Sequence, residues 1–174
     1  MAQNEPKRSE RATVDRFVAE LERYGVAATR TETAAVGGML EDRADGRTVG
    51  VDLSWGGVAL PESVNTEPTP RDLEAATVGI TEAALGVASY GSLALRQDTV
   101  GSEPISLFVD THIAVIHEED IVADMSDAFA LLGEELRELH DSFILATGPS
   151  ATADMGALVQ GAHGPKEVEV IIHS

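Results

Sequence analysis

Cysteine is absent from the 174-residue chain, and aromatic side chains make up only 4% of it. The first absence excludes disulfides, thiolate nucleophiles and zinc or iron–sulfur clusters ligated by cysteine within this chain. The second leaves a core of Val, Ile, Leu and Ala, which suits a buried parallel sheet flanked by helices. Because 43% of the residues are hydrophobic, the chain has enough apolar surface for one domain of ordinary size.

Long apolar runs are also missing, and a membrane span would need about 20 such residues. The first residues are polar and charged and do not resemble a signal peptide. We therefore expect a soluble, cytoplasmic protein with no membrane span. Its predicted organisation is a flexible tail over residues 1–8 and a single α/β domain over residues 9–174.

Basic residues are scarce, since 12 Lys and Arg stand against 30 Asp and Glu, for a net charge of −18. So acidic a surface repels phosphate backbones, which excludes nucleic acid as an expected partner. The acidic residues are spread along a hydrophobic chain and are not gathered in a disordered tail. This pattern favours an acidic, halophilic proteome, where screening over about 3 Å at 1 M salt suppresses self-repulsion.

Helical and strand patterns alternate along the chain, which predicts a three-layer α/β sandwich with a mainly parallel sheet. The predicted helices cover residues 9–24, 33–43, 126–139 (with Ser126 as N-cap) and 152–160. The predicted strands cover residues 26–30, 48–53, two or three segments within 76–95, then 112–117, 143–147 and 167–173. In such sheets ligands bind beyond the carboxyl ends of the strands.

The segment 144–165 carries the strongest local signal for a binding site. A buried strand ends at Gly148-Pro149-Ser150, and a helix is predicted to follow almost at once. Free N–H groups and the helix dipole would favour an anion there, with hydroxyl donors from Ser150 and Thr152. The alternative is that Gly148 and Pro149 only turn the chain and that Ser150 or Thr152 caps the helix.

Two further polar side chains belong to this segment. Asp154 would either cap the helix start or face the ligand. His163 stands between Gly161 and Gly164, which would let the backbone aim the imidazole at a substrate as a proton carrier. A histidine that is merely exposed, or satisfied in the core, explains the same pattern.

Glu82 interrupts an apolar run near the end of a predicted strand. It is either exposed at the rim of the sheet or a catalytic carboxylate, because this architecture places active sites at that edge. His112 and His117 lie five residues apart on a strand, so they should point to opposite faces. With no paired histidines on a helix, no Walker A loop and no dinucleotide fingerprint, we expect neither a metal site nor a cofactor in this chain.

At these residues the chain resembles a known family. Gly148-Pro149-Ser150-x-Thr152-Ala153-Asp154, then Gly161-x-His163-Gly164-Pro165 and a final hydrophobic strand, is similar to the C-terminal signature of the lactate-utilisation protein C, or LUD-domain, family. Upstream, Val78-Gly79-Ile80-Thr81, Ala88-x-x-Gly91-Ser92-Leu93 and His112-Ile113 follow the family's order. The resemblance covers residues 76–174 and departs from the family pattern at Glu82, Ser89, Tyr90 and Gly156.

This resemblance implies a fold like that of the NagB/RpiA/CoA-transferase group. It also implies a place in the oxidation of lactate to pyruvate beside iron–sulfur partner proteins, which would have to hold any cluster. Through the motif Ala88-x-x-Gly91-Ser92-Leu93, the resemblance adds Gly91 and Ser92 to the candidate anion-binding residues.

Three functions stay open. The first is an accessory, ligand-binding subunit of a lactate-oxidising system. The second is a stand-alone enzyme on a small phosphorylated or acyl-CoA-type substrate. The third is a structural or regulatory domain whose glycine motifs serve only the fold. The enzyme would need Glu82 and His163 in one cleft. The oligomeric state is open in all three cases.

Overall fold

The computed structural model describes residues 5–44, 47–97, 101–139, 142–154, 157–161 and 163–174. The helices are α1 (Glu5–Arg23), α2 (Thr33–Glu41), α3 (Pro70–Ala75), α4 (Ser102–Phe108) and α5 (Met125–Leu139), with a 3-10 turn at Glu118–Asp120. The strands are β1 (Ala27–Thr31), β2 (Thr48–Gly50), β3 (Val78–Glu82), β4 (Leu85–Val87), β5 (Ser92–Gln97), β6 (Thr111–His117), β7 (Ile121–Val122), β8 (Ser142–Thr147), β9 (Ala151–Asp154), β10 (Ala157–Gln160) and β11 (Glu167–His173).

A five-stranded parallel sheet in the order β1-β11-β6-β3-β2 forms the centre of the fold. Both of its faces are buried, and the strand side chains alternate between them. In β6, Ala114 and Ile116 join the core beneath α1, while Ile113 and Val115 join the core beneath α2. Burial on both faces explains why these strands read as continuous hydrophobic runs.

Helices cover both faces of this sheet, so the predicted α/β class with a mainly parallel sheet is confirmed. Phe17 and Leu21 of α1 pack on one face, and Val36 and Leu40 of α2 pack on the other together with the loop after β2. The likeness to the NagB/RpiA/CoA-transferase group stays a prediction.

A second sheet, in the order β7-β4-β5-β8, was not anticipated. Its β4-β5 and β5-β8 pairs are antiparallel, and α5 covers it. It shares the α1 side of the core through Leu93 and Leu95 of β5. The strand before Gly148 therefore belongs to this second sheet and not to the parallel one.

The helix predicted over residues 152–160 is wrong. β9 and β10 pair there as an antiparallel hairpin, with Ala151 opposite Gln160 and Asp154 opposite Ala157. Nine residues make a marginal helix, and the glycine at position 156 would cost about 1 kcal/mol within it. A hairpin pairs the same backbone groups without either cost.

The N-cap predicted for α5 is also wrong. The helix begins at Met125, and the Asp124 carboxylate accepts the N–H groups of Ser126 (2.8 Å) and Asp127 (3.1 Å). The buried stripe of α5 runs through Ala128 and Leu132, whereas Phe129 is 59% exposed.

The predicted bounds of the amino-terminal tail and of β2 need smaller corrections. α1 begins at Glu5, so residues 5–8 are helical, and residues 1–4 lie outside the described residues. β2 ends at Gly50, three residues earlier than expected. In the described ranges, no helix has the length and apolar character required to cross a membrane.

Gly79 of β3 sets how closely α4 approaches the sheet. A Cβ atom there would lie 2.6 Å from the Ile105 carbonyl oxygen and 3.0 Å from Val109 Cγ2. We expect Gly79→Ala to lower the free energy of unfolding by about 1–3 kcal/mol, because α4 must move to accommodate the methyl group. Urea unfolding measures this change.

The matched control is Gly38→Ala in α2, where an added Cβ meets no atom within 4 Å. Alanine there should be neutral or stabilise the protein by up to about 1 kcal/mol, since it favours the helix. Equal unfolding midpoints for the two variants would contradict the close contact between α4 and β3.

Candidate functional site

A cavity of about 240 Å³ opens between α1, the second sheet and the amino ends of β6 and β11. We call it the amino-edge pocket. Apolar side chains form much of its wall, and the polar side chains that line it are Ser106, His112, Thr147, Ser150 and His163. Residues of the predicted binding segments also line the pocket, namely Gly91, Gly148, Pro149, Gly164 and Pro165.

The two C-terminal segments meet at this pocket through their backbones. Ser150 N–H donates to the Pro165 carbonyl, and Gly161 N–H donates to the Ser150 carbonyl, each at 2.9 Å. A Cβ atom on Gly164 would lie 3.0 Å from Ser150 Cβ. Glycine at position 164 is therefore what lets the second segment approach Ser150.

Gly148 and Gly91 hold turns against the end of α1. Gly148 has φ +68°, and its Cβ would lie 3.0 Å from Tyr24 Cβ. Gly91 has φ +60°, and its Cβ would lie 3.0 Å from the Leu21 nitrogen. Other residues would be strained in both places, so these two glycines have a structural role as well as a place in the pocket wall.

Ser92 does not line the pocket but supports a residue that does. Its hydroxyl lies 2.7 Å from the Thr147 hydroxyl across the β5-β8 pair. This contact fixes the Thr147 side chain in the wall of the pocket.

His112 is the lining residue whose role sequence reasoning missed. Only 2% of it is exposed, and its Nε2 lies 2.8 Å from Thr81 Oγ1. Burial lowers the pKa of His112 from 6.5 to about 4, so the ring is neutral near pH 7. It shares the side of β6 with Ala114, whereas His117 has the opposite parity, which agrees with the expectation of opposite faces.

The electrostatic basis predicted for anion binding changes in this structure. No helix follows Ser150, whose amide is engaged by Pro165, so a helix dipole and free amides do not act there. The described residues that line the pocket nevertheless include no Asp or Glu. Donors that a ligand could meet there include the Ser150 hydroxyl and the His163 imidazole, and the Thr147 hydroxyl where it accepts from Ser92.

Glu82 lies away from the amino-edge pocket, at the carboxyl end of β3. Its two carboxylate oxygens accept hydrogen bonds from Ser54 N (2.6 Å) and Ser54 Oγ (2.7 Å). Because Glu82 and His163 do not meet in this pocket, the enzyme hypothesis loses the shared cleft it required. Thr152 and Asp154 lie in β9, and their side chains fall outside the described part of the structure.

Comparison with known proteins supplies further findings. The model of the LUD domain matches residues 62–173. A "Lactate utilization protein C" of Deinococcus radiodurans is 29% identical over 159 residues, covering 86% of this chain and 74% of that protein. A protein of the same name from a Geobacillus species is 33% identical over 103 residues, which are 57% of this chain and 43% of that relative.

The match thus spans less than half the length of the Geobacillus relative. Among solved structures, a DUF162 family protein from Deinococcus radiodurans superposes with a TM-score of 0.77 at 23% identity. The superposition covers 95% of this chain and 98% of the other. This likeness shows that the two proteins share a fold.

The buried His112 should make stability depend on pH. Its pKa is about 4 when folded and 6.5 when unfolded, so the unfolded chain binds the proton more tightly between these values. The resulting stability is complete above pH 6.5 and is lost as the pH falls toward 4. We expect the wild type to lose on the order of 3 kcal/mol more than His112→Gln between pH 7 and pH 4.

Urea unfolding of both proteins at a series of pH values, at constant ionic strength, measures this difference. Glutamine retains a group that can hydrogen-bond Thr81 but does not titrate. Parallel stability curves for the two proteins would contradict a role for His112 protonation.

Proposed function

Because the chain belongs to the LUD-domain family, we propose that it is a ligand-binding subunit in lactate utilisation. Its ligand would be a small organic anion such as lactate or pyruvate, held in the amino-edge pocket. One observation carries this proposal: no Asp or Glu lines the pocket among the described residues, in a chain with a net charge of −18.

Electrostatics favours this pocket over the rest of the surface for an acid. A carboxylate is repelled by nearby Asp and Glu, and the repulsion grows as the local dielectric constant falls. Of the described residues that line the amino-edge pocket, the titratable ones are His112 and His163. His163 is exposed, and a ring N–H of its imidazole can donate to a carboxylate.

The pocket is large enough to admit a three-carbon acid and too small to enclose a CoA. Pockets for drug-sized ligands measure about 300–1,000 Å³, and this one measures about 240 Å³. Its apolar wall suits the methyl group of lactate or pyruvate, and its hydroxyls suit the polar end. An acyl-CoA would leave most of its atoms outside, which supports the binding subunit over that alternative enzyme.

Partners are part of the same proposal. The relatives' name, "Lactate utilization protein C", supports a place in a lactate-utilisation system. Since the chain contains no cysteine to ligate a cluster, we propose that iron–sulfur centres for oxidation of lactate to pyruvate reside on cytoplasmic partner subunits.

Thermal unfolding in the presence of lactate or pyruvate tests the pocket assignment. A ligand that binds only the native state stabilises it by about 2.7 kcal/mol at a concentration one hundred times Kd. For a chain of this length that raises Tm by roughly 5–10 °C. The measurement belongs in high salt, where the acidic surface is screened.

Ser150→Glu should abolish this rise, because it places a carboxylate and extra volume inside the pocket. The matched control is Ser126→Glu, which adds the same side chain at an exposed position in the first turn of α5. No rise with either acid in the wild type, or an undiminished rise in Ser150→Glu, would contradict the proposal. A rise with CoA instead would favour the enzyme.

A further inference from the structure

Polar side chains gather at the end of the parallel sheet that lies away from the amino-edge pocket. The carboxyl ends of β3, β6 and β11 carry Glu82, His117 and His173, and the register places His173 beside His117. Asp120 follows β6, and Trp55 packs from the loop after β2. We call these five residues the carboxyl-edge cluster.

Hydrogen bonding fixes the tautomer of His173. Thr33 Oγ1 donates its one proton to the Ser174 carbonyl at 2.9 Å and lies 3.0 Å from His173 Nδ1. The hydroxyl can therefore only accept from the imidazole, so Nδ1 carries the hydrogen. In the neutral ring, His173 Nε2 is then a bare acceptor.

That acceptor is buried without a partner. His173 is 1% exposed, and its Nε2 has no hydrogen-bond partner among the described residues. Burial lowers the pKa of His173, and the charge of His117 adds to this effect while Glu82 opposes it. A neutral ring with an unpaired nitrogen is costly in a folded protein, and such an atom points to a ligand.

The surroundings of His173 define the chemistry of that ligand. Burial raises the pKa of Asp120, with further contributions from Glu82 and Glu119, while His117 opposes them. The nearby cation Arg30 pairs with Asp15 at 2.7 Å and with Glu118 at 3.5 Å. The two carboxylates of Glu82 and Asp120 stand against the one charge of His117, so the cluster offers mainly acceptors and negative charge, which disfavour an organic acid and favour a group that donates hydrogen bonds.

We propose that the carboxyl-edge cluster is a second ligand site, which takes a small primary ammonium compound. Its N–H groups would donate to His173 Nε2 and to the carboxylates of Glu82 and Asp120. The ring of Trp55 would lie against the cation. The two sites then take ligands of opposite charge at opposite ends of the sheet.

Entry to this site requires Trp55 to move. The Trp55 ring is nearly perpendicular to the His173 ring (78°), with the two centroids 4.7 Å apart. The His117 ring lies against the same His173 ring, at 79° and with a centroid distance of 4.9 Å. Gly56 and Gly57 follow Trp55, and an added Cβ on either would meet no atom within 4 Å. The turn itself is therefore not held by packing, and movement of Trp55 would loosen only its contact with the edge of the core beneath α2.

Intrinsic fluorescence reads the site directly, because Trp55 is the one tryptophan of the sequence. Ethylammonium chloride should change the Trp55 emission saturably. Tetramethylammonium chloride at equal concentration, which carries the same charge without N–H donors, should not. Sodium chloride controls for ionic strength.

His173→Phe keeps an aromatic ring beside Trp55 and removes both ring nitrogens, so it should weaken the ethylammonium response at least tenfold. His163→Phe makes the same exchange in the amino-edge pocket and should leave the response unchanged. If His173→Phe does not fold by circular dichroism, Glu82→Gln takes its place and should also weaken binding tenfold.

Three results would overturn the proposal: no saturable response to ethylammonium, an equal response to tetramethylammonium, or an undiminished response in the folded site variant. None of them bears on lactate or pyruvate in the amino-edge pocket, so the two proposals fail independently.

Discussion

Burial of the parallel sheet on both faces is the constraint on which the rest of the structure depends. Strand side chains alternate between two apolar cores, so a polar group on a central strand must find a partner or face a cavity. His112 meets Thr81 near the amino end of β6, and His173 meets Thr33 at the carboxyl end of β11. These two buried histidines place polar groups at opposite ends of the parallel sheet.

The second sheet decides which of these places is a pocket. Because β8 pairs with β5, the turn at Gly148-Pro149-Ser150 reaches the amino ends of β6 and β11. The Ser150–Pro165 backbone hydrogen bond then closes the wall with the segment around His163. Among the described residues no carboxylate lines this wall, whereas Glu82 and Asp120 lie at the other edge. The amino-edge pocket and the carboxyl-edge cluster therefore differ in the charge of the residues that form them.

Much of the architecture could be predicted from the sequence, since continuous apolar runs and helical spacing report directly on packing. Most strand and helix assignments and the convergence of Gly148, Ser150 and His163 follow from local pattern and from the family resemblance. The hairpin at 151–160 could not be predicted in this way, because its pairing competes with a short helix of similar local preference. The second sheet could not be predicted either, because it depends on long-range strand pairing. The same pairing places the pocket at the amino edge of the parallel sheet, whereas the sequence pattern predicted a site at the carboxyl edge. The unpaired nitrogen of His173 appears only once Thr33 is placed.

The central claim is that a small acid binds beside Ser150 and His163 and not at the carboxyl edge. The most direct measurement follows the imidazole resonances of the five histidines by NMR during a titration with pyruvate. The account predicts that the His163 resonances shift saturably while those of His173 stay in place. Saturable shifts at His173 with none at His163 would contradict it.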